Sequence, residues 1–219
     1  MGRVLVALVV TAALGAAGGY AVAAHDEPAV EQRTTFADPA PMPATDPSLP
    51  VVLIEPDPDD PQLAIDVPLR KQRLVAPGDT PPKLRLALPV PVGWYLEFDG
   101  ASRWKFTVPG NDENAYGLRV DILTGDPVTV DRAVGARESA LRSAEAQGFL
   151  PDLEFLAEFG DGFTASYIDR GFRRISMERF YSGPDPTLAY ATVVVYGRVQ
   201  DQPGMADLLE RISIGLRTN

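Results

Sequence analysis

The chain has 219 residues, 45% of them apolar and 23% charged, with a formal net charge of −10; this describes one folded domain with appendages, neither fully disordered nor collagen-like. Cysteine is absent and His25 is the one histidine, which excludes disulfides, thiolate metal sites and cysteine nucleophiles and leaves a globular part without imidazole. An acidic chain is also a poor counterion for nucleic acid, so no nucleic-acid partner is expected.

After Arg3, residues Val4 to Ala24 run for 21 positions without a charge. As a helix this run measures about 31 Å, enough for a hydrocarbon core of roughly 30 Å. Arg3 precedes it and Asp26 and Glu27 follow, an asymmetry that predicts a cytoplasmic N-terminus and a translocated remainder. Two readings stay open at 1–24. One is an uncleaved single-pass anchor that engages the membrane; the other is a signal peptide cut after Ala21-Val22-Ala23, leaving a secreted chain. Gly15, Gly18 and Gly19 lie within this run with no strand before them, so they make no phosphate-binding loop.

Residues 25–82 hold 13 of the 21 prolines, with 4 basic against 11 acidic residues. Low hydrophobicity with excess charge cannot offset the entropy of ordering, which predicts a disordered acidic stalk. Two stretches inside it depart from plain linker: Val51-Val52-Leu53-Ile54, and Leu63 to Leu74 with its basic residues Arg70, Lys71 and Arg73. Either is suited to dock as an edge strand or strap. The acids Glu55, Asp57, Asp59 and Asp60 between them lack the central glycine and terminal glutamate of a calcium loop and read as solvated. No metal site and no cofactor is expected.

From Lys83 onward periodic patterns set in. Strands are predicted over Val92–Phe98, Trp104–Val108 and Tyr116–Thr124, with a turn at 109–114. A helix follows, capped by Thr129, with Asp131 in its first turn and Gly148 past its end. Its buried stripe is Val130, Ala133, Val134, Leu141 and Ala144. Four more strands are predicted over Leu153–Phe159, Phe163–Asp169, Phe172–Tyr181 and Leu188–Arg198. The third carries Ile175 and Met177 towards a core and Arg174, Ser176 and Glu178 towards water or a groove. The fourth is apolar on both faces and so belongs at the centre of a sheet. A last helix opens at Pro203 and aligns Met205, Leu208, Leu209 and Ile212. The order βββ-α-ββββ-α, with six to seven strands and two helices, indicates an α+β fold with a mainly antiparallel sheet over 83–219.

That element order, with the opening Leu88-Pro89-Val90-Pro91-Val92-Gly93-Trp94, resembles the PsbP-like superfamily, and within it the LpqN/LpqT-type exported actinobacterial proteins. The resemblance spans about 83–219 and departs from that branch in lacking a lipobox cysteine. It implies an accessory or binding domain rather than one particular chemistry.

The residues themselves point the same way. The serines of the domain have no histidine beside them, and a serine–lysine pair could draw only on Lys83 or Lys105. Glu154, Glu158, Asp161 and Asp169 cluster in sequence around one hairpin, and two acids suffice for glycoside hydrolysis. A carboxylate-dependent envelope hydrolase is therefore one alternative, and a structural spacer or assembly partner another. The leading expectation is a non-catalytic binding module of the bacterial cell envelope, on a membrane tether or secreted, whose partner is an envelope protein or a small ligand. Arg170, Arg173 and Arg174 are the candidate binding residues, because guanidinium groups suit carboxylate or phosphate; ion pairing with Asp169 and Glu178 on a solvated face is the competing role for them. Trp94 and Trp104 are expected to pack in the core.

Overall fold

The computed structural model describes residues 53–57, 60–77, 84–100, 102–110 and 115–218. All belong to one compact unit, Ser48–Asn219. The apolar run Val4–Ala24 and most of the acidic stalk lie outside the described residues. Among those described, no helix is long and apolar enough to cross a membrane.

The strands are β1 (Leu69–Val75), β2 (Arg85–Pro91), β3 (Tyr95–Phe98), β4 (Arg103–Thr107) and β5 (Gly117–Ile122), then β6 (Glu154–Phe159), β7 (Gly162–Asp169), β8 (Phe172–Ser182), β9 (Ala189–Arg198) and the short β10 (Arg217–Thr218). Helix α1 (Val130–Ala146) separates β5 from β6, and α2 (Gln202–Gly215) follows β9. Seven strands form one sheet in the order β3-β4-β5-β9-β8-β7-β6, and β1-β2-β10 form a second. Every pairing is antiparallel. The chain is α+β, with the two helices where the periodicity puts them.

Local chemistry accounts for the helix ends. The Thr129 hydroxyl accepts from the Arg132 backbone N–H, and Gly148 takes φ +77° beyond the last turn of α1, a conformation open to glycine. Ala133, Val134 and Leu141 are buried, while Val130 and Ala144 reach only partial burial. On α2, Pro203 stands in the first turn, and Met205, Leu208, Leu209 and Ile212 are all buried. The predicted centre of the sheet is also where it was expected: β9 pairs with β5 on one side and β8 on the other.

Cross-strand partners share a face, so the register sorts the residues into two layers. Phe106, Leu118, Val195 and Met177 lie in one row and Trp104, Val120 and Val193 in the next. They join Leu74, Leu86, Leu88, Val90 and the apolar stripe of α2 in the main core. On the opposite face, α1 packs Ala133, Val134 and Leu141 onto Phe163, Ala165 and Phe180. That helix covers the β6–β7–β8 side. Beyond it the sheet carries charges.

The boundary placed at residue 82 is corrected by this structure. Residues 69–75 form β1, paired along its length with β2, and Leu63 and Leu74 are core residues. The strap is fastened by a buried ion pair. Asp201, fully buried, accepts from Arg198 Nε at 2.9 Å and from the Leu63 backbone N–H at 2.9 Å. Arg198 in turn donates to Asp60 Oδ2 at 3.1 Å and to the Pro61 carbonyl at 2.8 Å. Asp60 is thus an ion-pair partner rather than a solvated linker acid. Composition misled here because proline and charge averaged over a long window hide a few residues that bury well.

The first predicted strand is also displaced. Val92–Phe98 is broken by a turn in which Gly93 adopts φ +83°, leaving β3 only four residues, and the preceding Arg85–Pro91 forms β2 instead. Pro89 and Pro91 are tolerated because β10 pairs only with Leu86 and Ala87, so beyond residue 87 one edge of β2 requires no N–H donors.

Candidate functional site

Two adjacent rows of the register build the charged end of the sheet. One runs Arg103, Asp121, Thr192, Phe180 across β4, β5, β9 and β8; the next runs Lys105, Arg119, Val194, Glu178. With α1 standing beside them, these rows wall a trough of about 340 Å³, within the size range of small-ligand sites. Its ionisable lining is Arg103, Arg119, Asp121, Arg137 and Glu178, three guanidinium groups against two carboxylates.

The arrangement is held rigidly. Arg137, from α1, donates from Nε and Nη2 to the two carboxylate oxygens of Glu178, both at 2.9 Å. Ser176, two residues earlier on the same face of β8, donates to Glu178 Oε1 at 3.1 Å. Glu178 is 1% exposed, a burial a carboxylate withstands only when so satisfied. Burial alone works against the charge of Arg137, but the hydrogen bonds and charge of Glu178 outweigh it and hold the guanidinium above its ordinary pKa. Asp121 is gripped from two sides, by Arg103 Nε at 2.6 Å and Arg119 Nε at 3.0 Å. Burial, with the charges of Glu178 and Asp169 adding to it, raises the Tyr167 phenol above the usual tyrosine range.

The arginines singled out in the sequence do not converge. Arg170 sits exposed at the β7–β8 turn with φ +52°. Arg173 and Arg174 are consecutive on β8 and so face opposite sides. Arg173 pairs with Asp152. Arg174 is buried, donates to the Ala115 carbonyl at 2.9 Å and lies over the Phe172 ring. Of the acids around that hairpin, Glu158 pairs with Arg142 at 3.9 Å and Asp161 with Arg179 at 3.7 Å. Asp161 and Asp169 stand at opposite ends of β7, whose eight residues span about 25 Å. Trp104 is buried in the core and Trp94 packs partly buried at its margin.

Sequence reasoning missed Arg103, Arg119, Asp121 and Arg137. The available signal was alternation: β4, β5 and β8 each carry polar residues at every second position, and a strand so patterned has a polar face. A second cavity of about 250 Å³ lies at one end of the sheet between residues 123–128 and 183–190. It is walled mostly by turns and its charged residues are Asp126 and Asp185.

No family model and no curated protein matches the chain. Among solved structures, the crystal structure of LpqN, involved in cell envelope biogenesis of Mycobacterium tuberculosis, is similar at a TM-score of 0.45 and 15% identity, over 68% of this chain and 91% of that one.

Proposed function

We propose that this chain is an exported protein of the bacterial envelope, held by its N-terminal segment or released after cleavage, whose α+β domain is a non-catalytic binding module. The observation that carries the binding half is the trough, a concave site in which both carboxylates are engaged by arginine rather than opposed across an open gap. Such a lining recognises and orients a ligand, whereas a two-carboxylate hydrolase needs one acid free to donate a proton and the other free to attack or activate water. The envelope location rests on the 21-residue charge-free run and its flanking charges.

Intact mass of the native protein after membrane fractionation tests the location. Full-length mass in the membrane fraction is the anchored form, and a mass shortened by about 23 residues in the extracellular fraction is the cleaved form. Full-length protein in the cytoplasm overturns the reading.

A further inference from the structure

We infer that the trough between α1 and the β4-β5-β9-β8 face binds a ligand group bearing a single negative charge next to hydroxyls, a carboxylate or phosphodiester on a polyol. This deepens the binding-module reading and rests on it.

Charge balance comes first. The lining holds three guanidinium groups and two carboxylates, a local excess of one positive charge on a chain whose net charge is −10. A monoanion is the ligand charge that neutralises it. A cation would meet carboxylates already occupied, since Asp121 and Glu178 are held by Arg103, Arg119 and Arg137 at 2.6 to 3.0 Å.

Geometry comes second. A guanidinium carries five N–H donors, and these ion pairs engage Nε at Arg103 and Arg119, so each group is fixed in orientation while, among the described residues, its other donors are left to serve a ligand. Asp121 accepts from both at 2.6 and 3.0 Å, and a carboxylate has about four acceptor positions, which leaves capacity for a ligand hydroxyl beside the anion. Thr124 and Thr192 add hydroxyls to the wall and Phe180 an apolar patch. Donors and acceptors thus stand side by side in one wall, as recognition of vicinal hydroxyls requires.

Energetics supplies the third argument. A buried ion pair such as Arg137–Glu178 does little for stability that two apolar side chains would not do. What it does achieve is a guanidinium locked at the trough wall, and preorganised charge is what anion recognition needs.

The test uses full-length protein in detergent micelles, following the arginine side-chain N–H resonances by NMR. The probes are D-glucuronate, glycerophosphoinositol and neutral myo-inositol. Glucuronate or glycerophosphoinositol should shift the signals of Arg103, Arg119 and Arg137 saturably, while myo-inositol binds at least about tenfold more weakly; which of the two anions binds tighter separates a carboxylate from a phosphodiester source. Arg119→Gln, which leaves Asp121 paired with Arg103, should weaken binding about tenfold at unchanged thermal unfolding. Equal binding of the neutral polyol, no saturable shift with either anion, or undiminished binding by Arg119→Gln overturns the inference. Hydrolysis of glycerophosphoinositol during the titration would instead sink the non-catalytic reading and leave the anion site standing.

Discussion

Arg137 of α1 and Glu178 of β8 are joined by two parallel hydrogen bonds of 2.9 Å, with the carboxylate almost wholly buried and the guanidinium a third exposed. The pair ties α1 to the middle of the seven-stranded sheet, and it also forms part of the trough wall. Removing the cation alone should therefore cost more than removing both charges. Arg137→Met leaves a buried carboxylate with only Ser176 to satisfy it, at a cost of about 3 kcal/mol, the low end for a broken buried pair because Arg137 still meets water. Arg137→Met with Glu178→Met should recover most of that loss. Urea unfolding of the two variants checks the order; equal destabilisation would show that the pair acts only as packing.

The strap makes a claim about where the domain starts. A chain beginning at residue 83 lacks β1 and the core residues Leu63 and Leu74, so it should be expressed aggregated or lose cooperative unfolding, whereas one beginning at 53 should unfold in a single transition. Leu63→Ala in the full chain should cost roughly 2–4 kcal/mol, as for a leucine removed from a packed site. Calorimetry of the three proteins decides it, and a stable 83–219 domain would restore the stalk reading for 60–77.

At Gly204 the backbone of the strap packs directly against α2. A Cβ there would lie 2.1 Å from the Leu63 carbonyl oxygen, which backbone cannot yield to cheaply. Gly204→Ala should loosen the strap and free the β1 backbone at the exposed Arg70, Lys71 and Arg73 from its pairing with β2, opening it to trypsin with the large sheet intact. Cleavage at those three residues at the wild-type rate would mean the helix simply shifts.

Three tyrosines predict the alkaline behaviour. Burial raises Tyr116, Tyr167 and Tyr181, with the charge of Asp201 adding at Tyr116 and that of Glu178 at Tyr167. A raised pKa means the folded state binds the phenolic proton more tightly than the unfolded chain. Their contribution is therefore complete below an ordinary tyrosine pKa of about 10 and is lost as pH rises through the folded values. Ultraviolet titration should show these phenols ionising late, together with unfolding, and Tyr167→Phe should flatten the loss of stability above pH of about 10. Early, reversible ionisation of all tyrosines would contradict the burial.

Residue patterning alone sufficed for α1 and α2, for β4 to β9, and for the central position of β9, because period and capping are local properties of adjacent residues. It also separated the two faces of β8, one with Ile175 and Met177, the other with Ser176 and Glu178. Tertiary structure decided the rest. Leu63 and β1 belong to the fold because Asp201 and β2, over a hundred and about fifteen residues away, provide partners that no window around residue 63 contains. The trough was decided by register: Arg103, Asp121, Thr192 and Phe180 come together only once β4, β5, β9 and β8 are paired. Three arginines close in sequence drew attention to residues 170–174, yet consecutive strand residues point apart. Arginines 103, 119 and 137, far apart in the chain, share one cavity.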